Sequence, residues 1–274
     1  MSPKKPIRKY EDFAKDKSFR NIIRDYAVFI LSLRRSIKNS NNWIRFPYYH
    51  HVFDDERVGF SRHIDYMKKF GDFISLSEAS NMLSSGEPIS GRFFCISFDD
   101  GFKNCIENAV PILIDKGASA TFFLPTAFID TSLETDIEKL LSFFTSRKLL
   151  LEFLTWNDCK QMIKAGMGIG SHTVNHIQLS SLNSEEAQSE MNLSKQIIEN
   201  KLECPCEFFC PPFGIPGKDF FVKRDLSLAK KIGYRSVLVG ARGAMTQGEL
   251  PHMIFRDHFL ANWSTAQLRY FLSL

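Results

Sequence analysis

The sequence has no run of the roughly 18 to 20 apolar residues that a membrane-spanning helix needs, so no such span is expected. Its first residues, MSPKKPIRKYEDF, lack the apolar stretch of a secretory signal, and the chain reads as cytosolic. None of the six cysteines (Cys95, Cys105, Cys159, Cys204, Cys206 and Cys210) belongs to a C-x-x-C pair. That argues against a structural zinc knot, and without a visible export route the thiols are expected reduced. No internal repeat or low-complexity tract is present, which leaves one main globular domain as the default for 274 residues.

Charge is plentiful but uneven. Residues 1–42 carry eleven Lys/Arg against four Asp/Glu, a balance of +7, so the rest of the chain holds −3 of the overall +4. The apolar stretch Ile22–Leu33 lies in this arm, flanked by Arg20, Arg34, Arg35 and Lys38. Two arrangements fit it: a helix packed on the body with its charges solvated, or a helix lying on an anionic membrane surface. Residues 39–42 read as a linker, dividing a basic helical extension (1–42) from the main domain (43–274).

Beyond that linker, apolar runs at 92–98, 120–124, 167–171 and 235–239 show little alternation, as strands covered on both faces do. Amphipathic segments at 103–116, 156–165, 184–201 and 223–232 separate them, the third beginning at Ser184 as a capped helix. Alternating β and α units predict a parallel sheet, here closed or nearly closed into an α/β barrel. The less regular residues 130–152 are expected to form an insertion over one end.

Polar residues directly after strands are where such barrels keep their chemistry. Asp99 and Asp100 end one run at Gly101; adjacent carboxylates need a nearby cation or full solvent to stay ionised, although an Asx-type turn also fits the segment taken alone. His172 and His176 follow another run at a spacing that lets two imidazoles converge on one metal, itself a weak signal. With Asp100 they supply two nitrogens and one oxygen and leave a position open, the composition of a catalytic zinc site. Cys210-Pro211-Pro212-Phe213-Gly214 ends a third run; its stiff backbone fits either an N–H from Phe213 aimed at an oxyanion or a plain turn.

In order, Ser97-Phe98-Asp99-Asp100-Gly101, His172-Thr173-Val174-Asn175-His176 and Cys210-Pro211-Pro212-Phe213-Gly214 resemble the first three motifs of the polysaccharide deacetylase (NodB-homology) family of carbohydrate esterases. The resemblance extends over most of 46–260, through Tyr49-His50-His51-Val52, Ala120-Thr121-Phe122-Phe123 and Leu154-Thr155-Trp156. It implies a distorted (β/α)7 barrel, a zinc-type ion on Asp100, His172 and His176 (with cobalt, nickel or manganese as alternatives), and Asp99 as general base. Phe213, Pro212, His50 and Trp156 are expected to face substrate or oxyanion. Two positions depart from the family pattern. Cys210 stands where many members carry an arginine that holds the base, with Arg256 as the substitute. The late general-acid histidine has two candidates, His258 and His50. The implied reaction removes N-acetyl groups from an amino sugar of a glycan or glycolipid, with no nucleic-acid partner. An O-acetyl esterase, another amide deacylase and a non-catalytic glycan-binding homologue are the alternatives.

Overall fold

The computed structural model describes residues 5–14, 19–37, 41–144, 147–247 and 252–273. Among them are strands β1 (Trp43–Arg45), β2 (Pro47–Tyr49), β3 (Asp72–Phe73), β4 (Arg92–Phe94), β5 (Ile96–Phe98), β6 (Ala120–Leu124), β7 (Gly168–Ser171), β8 (Phe208–Phe209), β9 (Ser236–Val239), β10 (Met253–Phe255) and β11 (Asp257–His258). Eight run parallel in the order β10-β9-β8-β7-β6-β5-β2-β11. The two outermost, β10 and β11, are separated in the chain only by Arg256. One short segment therefore pairs with both edges, Met253 opposite Val237 and Asp257 opposite Pro47, and closes the sheet. Counted as one stave it gives the seven-stranded distorted barrel expected, with neither sheet edge left open.

The run 92–98 is not one strand. It breaks at Cys95, as the first strand breaks at Phe46, and the lower halves β1 and β4 join β3 in a separate parallel sheet. Backbone pairing continues through the bends: the Cys95 N–H donates to the Arg45 carbonyl at 2.9 Å and the Asp257 N–H to Phe46 at 2.9 Å. Two apolar layers explain the lack of alternation. Ile96, Phe98, Phe122, Ile169 and Val239 pack outward under the helices, while Phe46, Cys95, Phe123, Phe208, Leu238 and Ile254 fill the barrel. Gly170 sits opposite Phe123 in the ladder, and a Cβ there would lie 2.5 Å from that ring, so only glycine lets the two strands meet.

The expected helices form with adjusted ends. Residues 103–116 split into a π-helical turn, Cys105–Ala109, and helix Val110–Lys116, where Pro111 lacks the N–H a continuous helix would use. Trp156–Lys164 starts from a capping box of Thr155 and Asp158, and Val222–Ile232 ends at left-handed Gly233. Helix Ser184–Leu202 begins where expected, but the capping side chain is Asn183, whose oxygen accepts the N–H groups of Glu185 and Glu186.

The described residues of 130–152 cover one end of the barrel. Helix Ile137–Ser142 and the residues after it pack Leu140, Leu150, Leu151 and Phe153 with Phe53, Phe102 and Phe128. The N-terminal arm joins this cover, the Ile7 N–H donating to the Leu150 carbonyl at 2.9 Å and the Tyr10 N–H to Asp55 at 2.8 Å. Helix Phe19–Ser32 then lies against helix Thr265–Leu272, where Arg269 donates to the Ser32 hydroxyl at 2.9 Å. Lys38 and the first two linker residues, Asn39 and Ser40, lie outside the described residues. No helix among those described is long and apolar enough to cross a membrane, and all six cysteines are free thiols.

Candidate metal centre and active-site cavity

Because the barrel strands are parallel, their C-terminal ends share one face, and there the polar residues collect. Asp99 and Asp100 follow β5, His172 follows β7, Cys210 follows β8, His50 and His51 follow β2, and His258 ends β11. A cavity of about 310 Å³ opens among them, lined by Tyr48, His50, His51, Asp99, Asp100, His172, His176 and His258. Phe13, Phe102, Phe143, Phe144 and Phe213 supply an aromatic wall.

Asp100 takes a left-handed backbone (φ 72°), as does the next residue, Gly101 (φ 66°), and this sharp turn aims the carboxylate at both histidines. Asp100 Oδ1 lies 3.4 Å from His172 Nε2 and 3.2 Å from His176 Nε2. The donor atoms of all three residues fall within 4.8 Å of one another. Donors on a tetrahedral ion with bonds of about 2.0–2.1 Å sit about 3.3 Å apart, close to both distances from Asp100 to the histidines. His172 Nδ1 must be the donor to the Cys210 carbonyl at 2.7 Å, which turns the Nε2 lone pair of a neutral ring toward Asp100. Two acceptors facing each other at 3.4 Å call for a cation or a proton between them. Electrostatics agree: burial pushes the His172 pKa down, but the hydrogen bonds to Asp100 and Cys210 and the Asp99 charge outweigh it and hold it well above the ordinary value. Burial pushes Asp100 up, and His176 and His172 overcome that to hold it well below the carboxylate range.

A second group, Asp99, His172 and Cys210, has comparable spacing. It suits a cation less well, because a guanidinium already occupies Asp99. Arg256 is buried and donates from Nη1 to Asp99 Oδ1 at 2.7 Å and from Nη2 to Oδ2 at 2.8 Å. The same Nη2 lies 2.9 Å from Cys210 Sγ, Nη1 reaches Ser97 Oγ at 3.2 Å, and the guanidinium carbon sits 4.0 Å from the Tyr48 ring centroid. Burial raises the Asp99 pKa; the Arg256 charge and hydrogen bonds bring it below the usual value, so the carboxylate is ionised. Burial also pushes the Cys210 thiol up, so sulfur meets Arg256 as a neutral group. The arginine expected at position 210 is thus replaced in space by one arriving from the strand that closes the barrel.

The two acid candidates are neighbours, His258 Nε2 lying 3.2 Å from His50 Nδ1. Burial, then His50, then Arg242, push His258 down to about 3, and burial lowers His50 as well. The resting pair is therefore neutral near pH 7, one ring donating to the other. Phe213 is left-handed (φ 64°) and lines the cavity, and among the described residues nothing accepts its backbone N–H. Gly214 follows in the same region (φ 75°), and a Cβ on it would meet the Gly240 nitrogen at 3.0 Å.

Two expected site residues stand away from the cavity. Trp156 is buried in the main core at the start of its helix, its backbone N–H held by Asp130 at 2.9 Å, so it packs rather than meets substrate. Pro212 is buried behind Phe213 and offers its carbonyl to the Gly214 N–H at 2.7 Å, bracing the turn. Other contributors were not legible in the sequence. Glu190, from helix Ser184–Leu202, accepts the N–H groups of Val174 and Asn175 at 2.9 and 3.0 Å and pins the loop bearing both histidines. Glu56 holds His51 Nδ1 at 3.0 Å inside the cavity wall. Only an acidic residue at a fixed distance from each loop marks these roles, and that is too common to signal them.

The architecture is that of an α/β barrel whose polar residues gather on the face where such barrels carry chemistry. The polysaccharide deacetylase profile matches residues 87–237, more than half of the chain, and the chain belongs to that family. The Bacillus subtilis (strain 168) protein YxkH is 26% identical over 198 residues, 72% of this chain and 62% of YxkH. A peptidoglycan-N-acetylglucosamine deacetylase of Bacillus cereus is 27% identical over 152 residues, 55% of this chain and 58% of that protein. The chain spans about three fifths of the length of these two relatives. Among solved structures, the Streptococcus pyogenes deacetylase PplD in complex with acetate superposes with a TM-score of 0.65 at 22% identity, covering 85% of this chain and 98% of that one. IcaB from Ammonifex degensii gives 0.69 at 18% identity, with the same coverage. At such identities the likeness carries the fold, and it agrees with the barrel described above.

Proposed function

We propose that the chain is a metal-dependent carbohydrate de-N-acetylase acting on an N-acetylated amino sugar of a glycan or glycolipid. The observation that carries this reading is the placement of an ionised Asp99, locked by Arg256, beside the Asp100, His172 and His176 donor set in one cavity. Two imidazoles and a carboxylate suit zinc first, with cobalt, nickel or manganese also accepted by such donors. When bound there, the ion supplies Lewis-acid polarisation and makes water acidic enough to react near neutral pH.

The chain's own groups do the rest. Asp99 takes the proton of the attacking water, whose oxygen bonds to the acetamide carbonyl carbon. The free Phe213 N–H stabilises charge developing on the carbonyl oxygen, a donor worth about 3 kcal/mol in comparable sites. As the C–N bond breaks, the proton that Asp99 took from water passes to the departing sugar nitrogen, the resting-neutral His50 and His258 pair accepting it and handing it on. Acetate and a free amine result, and the aromatic wall excludes bulk water around the reacting group.

Metal analysis combined with acetate release from paired N-acetyl and O-acetyl sugars tests the reading. The expected result is about one divalent ion per chain, chelator-sensitive release from N-acetyl substrates, and metal loss in His172→Ala and His176→Ala. Release from O-acetyl substrates alone would make the chain an esterase. Absence of both metal and turnover would make it a glycan-binding homologue.

A further inference from the structure

Helix Phe19–Ser32 buries one side against the body and carries an apolar stripe on the opposite side. Val28 and Ser32 are buried, on the side that meets helix Thr265–Leu272; Ser32 accepts from Arg269, and the Arg35 guanidinium rests 5.3 Å from the Tyr270 ring centroid. The other side carries Ile23, Tyr26 and Ile30, continued by Leu33 just past the helix end. Their spacing of three, four and three residues puts them in one stripe. They are 54%, 68%, 48% and 61% exposed. With Phe29 and Leu31, this stretch holds six of the twelve exposed large hydrophobic residues among those described. Isolated exposed apolar residues are ordinary, but half of those described gathered on one helix and the residue after it mark a surface that something covers.

The charge around the stripe identifies what covers it. Arg34 is exposed just past the helix end, next to Leu33 of the stripe, in an arm whose sequence carries +7 while the remainder carries −3. Two copies meeting through this face would bring two such arms together, and like charges would oppose them. An anionic lipid surface answers both features at once, taking the apolar stripe at its acyl boundary and the positive charge of the arm at its headgroups. Tyr26, with a polar tip on an apolar ring, suits that boundary. We infer that helix Phe19–Ser32 docks the protein in the plane of an anionic bilayer surface.

Phe13 of the same arm lines the cavity with its ring centroid 4.9 Å from that of His51, the two rings tilted by 59°, and helix Phe19–Ser32 begins six residues later, at most about 22 Å of chain away. Docking therefore holds the cavity close to the lipid. Recognition of the surface does not depend on the deacetylase reading, and its test does not use turnover.

The full chain is sedimented with vesicles of phosphatidylcholine alone and of phosphatidylcholine mixed with phosphatidylglycerol, at low and high salt. Binding to the anionic vesicles at low salt, weakened by added salt, is expected. Replacing the stripe (Ile23→Ser, Ile30→Ser and Leu33→Ser together) lowers partitioning by more than about tenfold, and Arg34→Gln lowers it about fivefold. Circular dichroism checks that the variants keep their fold. In a second measurement, Tyr26→Trp reports insertion as a blue shift in emission on adding anionic vesicles. Failure of the full chain to bind anionic vesicles at low salt overturns the proposal, as does undiminished binding by the triple variant. A dimer in solution that the triple variant dissolves would assign the stripe to contact between copies instead.

Discussion

Arg256 grips both oxygens of Asp99 at 2.7 and 2.8 Å, although 157 residues separate them in the chain and both side chains are buried. The guanidinium is the largest of the charges that oppose burial at Asp99, ahead of His172 and His50, and it also fixes the plane of the carboxylate.

Removing that charge affects both stability and proton transfer. Arg256→Met leaves a buried carboxylate unpaired, at a cost of about 3–5 kcal/mol. With the largest opposing charge gone and only His172 and His50 left against burial, the Asp99 pKa rises, and the acid limb of the pH–rate profile moves upward. We expect kcat to fall by about 10² or more at neutral pH. Arg256→Lys restores charge without the two-pronged grip and recovers part of both losses. A pH–rate profile unchanged in Arg256→Met would remove Arg256 from any role in tuning the base.

The contact between His258 and His50 predicts that they behave as one proton-holding unit. His258→Ala and His50→Ala should each lower kcat by about 10² or more with metal content unchanged. The double variant should be no worse than the poorer single one, because the unit is already broken. Losses that multiply would mean separate roles. Normal activity in His258→Ala beside an inactive His50→Ala would assign the acid to the first barrel strand alone.

A core histidine sets a pH window for stability. His63 Nε2 donates to the Trp263 carbonyl at 2.8 Å and Nδ1 accepts from the Tyr49 hydroxyl at 3.1 Å, and burial pushes its pKa down to about 4. His258 lies at about 3. An unfolded histidine titrates near about 6.5, so below that pH the unfolded chain binds protons that the native state refuses. Stability from these groups is present above about pH 6.5 and is lost as pH falls toward about 4, by about 1.4 kcal/mol per pH unit for each histidine. Urea titrations of the chelated protein between these limits should give a slope lower by one proton in His63→Gln. An equal slope would mean that His63 titrates as it does in water.

The alternation of short apolar runs with amphipathic segments determined the barrel, because strands covered on both faces have few other ways to bury themselves. Asp99, Asp100 and His172 could be singled out from sequence since they follow strands, His176 by its four-residue spacing from His172, and parallel strands bring such positions to one face. The partner of Asp99 was only an expectation until the chain closed. Arg256 reaches it because β10 and β11 pair with opposite edges of the sheet across that single residue. The same closure sets His258 against His50, 208 residues earlier. Trp156 misled because a side chain beside a helix start can turn either to a cavity or to the core, and packing against the helix layer chose the core. Glu190 and Glu56 gave no signal, since their roles exist only once a helix or turn brings them under a loop. Local chemistry is written along the chain; which groups face each other depends on strand register and closure, and those are settled by contacts between distant residues.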